Sequence, residues 1–140
     1  MANLDNIYAQ LRRDEGTRKF PYTDTTGHLS IGTGRNLQDD GISDIEIDFL
    51  LRNDVNAVSF ILNARLPWFR SIDPVRQGAL MNMCFNLGFN GLEEFGKMLT
   101  AFAKGDWTTA AAEMVSSAWA KEVGDRAKRL ETQILTGQWQ

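Results

Sequence analysis

The residues best suited to chemistry lie near the N-terminus, where the chain carries two carboxylates, Glu15 and Asp24, and the hydroxyl of Ser30. Two carboxylates that different backbone segments present across a bend are the arrangement that glycoside hydrolysis needs. One must be protonated so that it can donate to the leaving oxygen, and the other must stay ionised. A hydroxyl both donates and accepts hydrogen bonds, so Ser30 can position a water molecule. From the spacing alone, a glutamate near a helix end, an aspartate in a turn and a serine on a strand are more often surface residues without a catalytic role.

The predicted elements around these residues suggest which carboxylate takes which role. Apolar residues at helical spacing predict a helix over residues 3–15 that Asn3 caps and Gly16 ends. Glu15 then lies at the C-terminus of this helix, where the dipole disfavours negative charge, and this suits Glu15 as the acid. Asp24 lies in the turn of a predicted antiparallel hairpin over residues 17–34, where free backbone N–H groups suit an ionised carboxylate.

Composition excludes several classes of function. The chain has 140 residues and a formal net charge of −3, which argues against nucleic acid as a partner. The single cysteine, Cys84, excludes an internal disulfide and is expected to be buried, and the single histidine, His28, argues against a zinc site or a histidine triad. No apolar run is long enough to span a membrane, and no secretory signal precedes the first helix. We expect no metal or organic cofactor.

The rest of the chain reads as helical. Residues 35–42 form a connector, and the capping box of Ser43 and Glu46 begins a long helix that runs to about residue 64. Asp73 and Pro74 begin a largely buried helix through Leu87. Two further helices, a connector that contains Trp119, and a last helix over residues 126–135 follow.

These elements predict an α+β, mainly helical fold in one domain over residues 1–140. A small hairpin lobe occupies about 16–42, a connecting helix about 43–64, and a helical lobe about 67–140 together with the helix over 3–15.

The pattern Glu15-x8-Asp24-x5-Ser30, within the motifs DEG, Y-x-D-x-x-G and S-I-G-x-G, resembles the bacteriophage-type lysozymes. The resemblance continues along nearly the whole chain. Its further landmarks are the long helix with Asn53-Asp54-Val55, the segment from Asp73 to Gly88, and the C-terminal motifs Gly105-Asp106-Trp107, Arg126-Ala127-Lys128-Arg129 and Thr136-Gly137-Gln138-Trp139.

The resemblance implies a role for each matching residue. Glu15 matches the general acid and Asp24 the second catalytic carboxylate, while Ser30 stands where the family usually has threonine. Arg126 matches a basic residue that supports the catalytic glutamate. The substrate-binding positions of the family match Phe85 and Asn86.

The resemblance also predicts details that the structure can test. Arg35 stands where better-known members have a histidine, and we expect it to pair with Asp54 on the long helix. Trp119 is expected to be core rather than a sugar platform, and His28 is expected to be solvated. The connector from Gly34 to Ser43 is shorter than in larger relatives, which implies a reduced small lobe.

The implied function is hydrolysis of the β-1,4 bond from N-acetylmuramic acid to N-acetylglucosamine in bacterial peptidoglycan. The resemblance favours inversion, for which the carboxylates stand about 6.5–9.5 Å apart, over a covalent route at about 5 Å. We expect a monomer in the host cytoplasm, released to the wall by a separate membrane-permeabilising factor. The alternatives are a non-hydrolytic wall-binding or virion structural module, and a lysozyme-like enzyme that acts on chitin-like glycans.

Overall fold

A computed structural model describes residues 4–140 and has the predicted α+β, mainly helical architecture. Asn3, the predicted cap of the first helix, lies outside the described residues. The chain divides into two compact units, the first ending at Leu50 and the second spanning Leu51–Gln140. The lobe boundaries predicted from the sequence stay a prediction.

The first unit contains a helix, a small sheet and the start of the long helix. Helix α1 spans Leu4–Glu15, and the strands β1 (Arg18–Thr23), β2 (Leu29–Gly32) and β3 (Arg35–Asn36) follow it. The strands pair antiparallel in the order β1-β2-β3, so β2 is central. The prediction of a two-stranded hairpin was therefore incomplete, because the residues assigned to the connector supply a third strand.

The long helix α2 spans Asp44–Arg65 and begins at the predicted capping box. The backbone N–H of Ser43 donates to Glu46 Oε2 at 2.7 Å, and the N–H of Glu46 donates to Ser43 Oγ at 3.3 Å. The helix ends one residue before Leu66-Pro67, because a residue that precedes proline is disfavoured in helical conformation.

The remaining helices are α3 (Pro74–Glu93), α4 (Gly96–Lys104), α5 (Trp107–Val115), α6 (Ala118–Val123) and α7 (Asp125–Thr136). Asp73 caps α3 by accepting a hydrogen bond from the N–H of Arg76, and Pro74 is its first residue, as predicted. The helix breaks after Leu87, where Gly88 has the non-helical φ of 71° and ψ of 165°. Trp119 lies on the short helix α6 and not in a connector, because Ser117 caps that helix by accepting from the N–H of Ala120.

The core of the second unit is built from its helices. The cluster of buried apolar side chains runs from Leu62 to Ile134 and includes Cys84 and Trp119, as expected. Arg76 ties α3 to the end of α7, where its Nε donates to the carbonyl of Ile134 at 2.7 Å. Within residues 4–140, no helix combines the length and apolar character that a membrane span requires.

Candidate active site

The turn between β1 and β2 holds the carboxylate of Asp24 by one of its two oxygens. Asp24 Oδ1 accepts three hydrogen bonds, from the N–H of Thr26 at 2.9 Å, the hydroxyl of Thr26 at 2.8 Å and the N–H of His28 at 2.9 Å. Such side-chain capping of the local backbone is the reason that aspartate is favoured at turns. The position of Oδ1 is therefore fixed by residues that follow Asp24 by two and four positions.

These donors also set the charge of Asp24. The hydrogen bond from the backbone of His28, followed by the one from the hydroxyl of Thr26, holds the pKa of Asp24 below its usual range. A carboxylate with a lowered pKa is ionised at neutral pH. The sequence-based expectation that the turn suits an ionised group agrees with this direction.

The second oxygen of Asp24 faces Ser30 in the central strand. Ser30 Oγ donates to Asp24 Oδ2 at 3.4 Å, which is longer than an ordinary O–H···O bond. Ser30 is 2% exposed and lies opposite Tyr22 on β1 and Asn36 on β3. The sheet thus fixes the backbone of Ser30, while its hydroxyl makes a long contact with the carboxylate.

Glu15 ends α1, and its carboxylate lies against the turn between β2 and β3. A Cβ atom on Gly34 would stand 3.0 Å from Glu15 Oε2, and Gly34 has a φ of +71°, which L-residues with a side chain rarely adopt. The hydroxyls of Thr17 and Thr33 are 3.1 Å apart and join the segment after α1 to the same turn. A Cβ atom at position 34 would require the glutamate side chain to shift by a few tenths of an ångström.

Arg35 pairs with a different acidic residue from the one predicted. Its Nη1 donates to Glu46 Oε2 at 2.8 Å and its Nη2 to Glu46 Oε1 at 2.6 Å. Asp54 was the wrong choice, because the bidentate partner of Arg35 stands two turns earlier on α2, within the capping box. The guanidinium of Arg35 lowers the pKa of Glu46 to about 2.

The candidate supporting residues lie in the second unit. Arg126 on α7 donates from Nε to Asn82 Oδ1 at 2.8 Å and from Nη2 to the carbonyl of Asn82 at 3.0 Å. Phe85 and Arg126 line the same cavity of about 300 Å³. Phe85 is 46% exposed, so it is not a plain core residue.

Asn86, the other substrate-binding candidate, has a partner within the protein. Its Oδ1 accepts a hydrogen bond of 2.8 Å from Trp119 Nε1, and Trp119 is buried. The amide nitrogen of Asn86 remains available for a ligand. The structure thus gathers Glu15, Asp24 and Ser30 in the unit that ends at Leu50, and Phe85, Asn86 and Arg126 in the unit that begins at Leu51.

Sequence reasoning missed three residues that shape this site. His28, which was expected to be solvated, keeps 37% of its side chain exposed, but its ring also contacts Thr26 Oγ1 at 2.7 Å and lies 3.5 Å from Asp39 Oδ2. Thr26 was read only as a turn residue, although a threonine two positions after an aspartate is a recognisable turn-capping signal. Asn82, which precedes Asn86 by one helical turn, carried no signal that predicted its bond to Arg126.

Comparison with known proteins adds an independent line of observation. A family profile described as "Phage lysozyme" matches residues 12–134. The chain is 31% identical to the pre-baseplate central spike protein Gp5 of Enterobacteria phage T4, over 91% of this chain but only 27% of that protein. It is 26% identical to "Probable T4-type lysozyme 1" of Dictyostelium discoideum, over 96% of each chain. A second protein of that organism, "Probable T4-type lysozyme 2", gives the same values.

Proposed function

The chain belongs to the phage lysozyme family, and on this basis we propose that it hydrolyses the β-1,4 bond between N-acetylmuramic acid and N-acetylglucosamine in bacterial peptidoglycan. In this proposal Glu15 protonates the leaving oxygen while Asp24, with Ser30, activates a water molecule that attacks the sugar. Arg126 supports the catalytic glutamate, and Phe85 and Asn86 bind the glycan.

The observation that carries the proposal is the difference in hydrogen bonding between the two carboxylate oxygens of Asp24. A base needs a fixed position, an ionised state and one oxygen free to accept a proton. Three donors hold Oδ1 and lower the pKa of the carboxylate, while Oδ2 keeps only a 3.4 Å contact with the Ser30 hydroxyl. A water molecule between Ser30 Oγ and Asp24 Oδ2 would complete the hydrogen bonding of both.

The position of Glu15 supports its role as the acid. Glu15 is the last residue of α1, so the end of this helix fixes the backbone from which its carboxylate projects. The glycine at position 34 gives its carboxylate room beside the strand turn, within the same unit as Asp24.

The direct test replaces Glu15 by Gln, which keeps the shape of the side chain but cannot donate a proton as an acid does. We expect the release of reducing sugar from purified peptidoglycan to fall by at least about a thousandfold, because proton donation is lost. The matched control is Glu131→Gln on α7, which removes the same charge far along the chain and should keep full activity. Circular dichroism checks that both variants are folded. Normal hydrolysis by Glu15→Gln would refute the assignment.

The stereochemical outcome tests how Asp24 acts. We expect direct attack by water with inversion, so the newly formed reducing end should appear first as the α-anomer when ¹H NMR follows the digestion of soluble glycan fragments. A β-anomer as the first product would instead indicate a covalent intermediate on Asp24.

A second function deserves a test because one relative is named as a virion component. In that reading the chain binds the wall or serves as a structural module without hydrolysis. The relative from phage T4 is named a central spike protein. The match covers 27% of that protein, so the name describes a much longer chain. Clearing of outer-membrane-permeabilised bacteria by the wild-type chain but not by Glu15→Gln would support the enzyme. Clearing by neither would support the structural module, whereas equal clearing by both would refute Glu15 as the acid. Product mass spectrometry would distinguish peptidoglycan from chitin-like substrates.

A further inference from the structure

The single histidine of the chain lies in a short hydrogen-bonded chain that ends on the candidate base. His28 Nδ1 is 2.7 Å from Thr26 Oγ1, and Thr26 Oγ1 is 2.8 Å from Asp24 Oδ1. On the other side of the ring, Nε2 is 3.5 Å from Asp39 Oδ2, which is an ion-pair distance rather than a hydrogen bond. Among residues 4–140, the charged groups within 4 Å of the ring are Asp24, from its own turn, and Asp39, from the segment after β3.

A count of protons assigns the direction of each bond. The hydroxyl of Thr26 has one proton but two close acceptors, the carboxylate of Asp24 and the ring nitrogen Nδ1. An ionised carboxylate is the stronger acceptor of the two, so the hydroxyl proton points to Asp24. The 2.7 Å contact with Nδ1 is then a hydrogen bond only if Nδ1 carries a proton and donates it to Thr26 Oγ1.

We propose that His28 is a positioning residue for Asp24, whose neutral ring keeps its proton on Nδ1 and thereby directs the hydroxyl of Thr26 to Asp24 Oδ1. The catalytic part of this inference rests on the proposed function. If the proton of His28 were on Nε2 instead, Nδ1 would be a second acceptor that competes with Asp24 Oδ1 for the hydroxyl proton of Thr26.

The alternative partner of the ring, Asp39, has a donor of its own. The amide nitrogen of Asn36 donates to Asp39 Oδ2 at 2.8 Å. A carboxylate oxygen can accept a second hydrogen bond, so a ring protonated on Nε2 is the competing state that the tautomer measurement tests. The backbone N–H of His28 also donates to Asp24 Oδ1 at 2.9 Å, so the backbone and the ring of one residue both act on the same oxygen.

The first experiment reads the tautomer without any assay of activity. Because the chain has one histidine, ¹⁵N NMR of its imidazole gives one pair of ring-nitrogen signals. Above the pH at which the ring loses its charge, we expect Nδ1 to have the shift of a protonated nitrogen and Nε2 that of an unprotonated one. Thr26→Val should shift this balance toward protonation on Nε2, while Thr25→Val, a neighbouring exposed threonine outside the network, should not. A ring protonated mainly on Nε2 in the wild-type chain would overturn the proposal.

The second experiment separates positioning from general support of the fold. Asn places an amide near the position of Nδ1, whereas Gln places one near Nε2. We therefore expect His28→Ala, His28→Gln and Thr26→Val to lower kcat about tenfold with KM changed less than about twofold, while His28→Asn stays within about twofold of wild type. Thr25→Val should match wild type, and thermal unfolding identifies any variant that is merely destabilised. Rescue by Gln but not by Asn, or equal rates for all variants, would overturn the inference.

The two experiments also separate this inference from the proposed function. If the wild-type chain releases no reducing sugar, the proposed function fails and the tautomer measurement still decides the direction of the hydrogen bonds. If it does release sugar while the ring is protonated on Nε2, the proposed function stands and the role of His28 fails.

Discussion

Gly34 combines a backbone conformation that favours glycine with close contact to Glu15, the candidate acid. Its φ of +71° already favours glycine, and the carboxylate of Glu15 fills the space that a Cβ atom would need. A substitution at position 34 is therefore expected to have two separate effects: strain in the backbone and displacement of the Glu15 carboxylate. Gly41 has a similar φ of +61° with no atom within 4 Å of the corresponding Cβ position, so a substitution there has the first effect alone.

This pair of glycines gives a matched prediction. We expect Gly34→Ala and Gly41→Ala to lower the free energy of unfolding by a similar amount, about 1 kcal/mol, because both place a side chain at positive φ. Only Gly34→Ala should also lower kcat, by about tenfold, because Glu15 Oε2 must move. Urea unfolding and reducing-sugar release measure the two effects. Equal activity of the two variants would show that the space beside Glu15 is not needed.

At the scale of elements, the carboxylate of Glu46 stabilises the start of α2 by accepting hydrogen bonds from two partners. Glu46 Oε2 accepts from the N–H of Ser43, which completes the capping box, and from Arg35 Nη1 on β3. The sequence predicted the first contact because the two residues are three positions apart. It did not predict the second, because β3 has two residues and forms only where β2 offers a partner.

The double role of Glu46 predicts a pH dependence of stability. Its pKa is lowered from 4.5 to about 2, so its contribution to stability is complete above about pH 4.5 and is lost as the pH falls toward 2. Arg35→Met should therefore reduce the drop in unfolding temperature between pH 5 and pH 3. Asp54→Asn, which removes the partner first expected for Arg35, should leave that drop unchanged. The reverse result in thermal unfolding by circular dichroism would favour Asp54 as the partner.

At the scale of the whole molecule, charge would govern the approach to the anionic wall that the proposed function requires. The net charge is −3, although residues 121–129 carry Lys121, Arg126, Lys128 and Arg129 against two acidic side chains. Long-range repulsion acts over about 30 Å at 0.01 M salt and over about 8 Å at 0.15 M. The balance between the net charge and this local basic segment decides how the protein responds to salt.

We expect net repulsion to dominate at low salt, so raising the ionic strength from about 0.01 to 0.15 M should lower KM for intact peptidoglycan and leave kcat unchanged. A neutral soluble oligosaccharide substrate should show no change in KM. If KM for peptidoglycan rises instead, attraction by the basic segment outweighs the net charge.

The sequence by itself determined the features that depend on near neighbours along the chain. The caps at Ser43 and Asp73 and the turn at Asp24 all follow from contacts over two to four residues, and such contacts need no tertiary structure. The sequence also carried the pattern that indicated the lysozyme family, because that pattern is a matter of residue type and spacing.

Only the tertiary structure decided which distant side chains meet. Arg35 pairs with Glu46, and Trp119 on α6 donates a hydrogen bond to Asn86 on α3. The carboxylate of Glu15 lies beside Gly34. Each of these contacts joins different elements, so it depends on how the elements pack and on which atoms then lie within hydrogen-bond reach. Spacing along the chain specifies neither, so these distant partners could not be predicted from it.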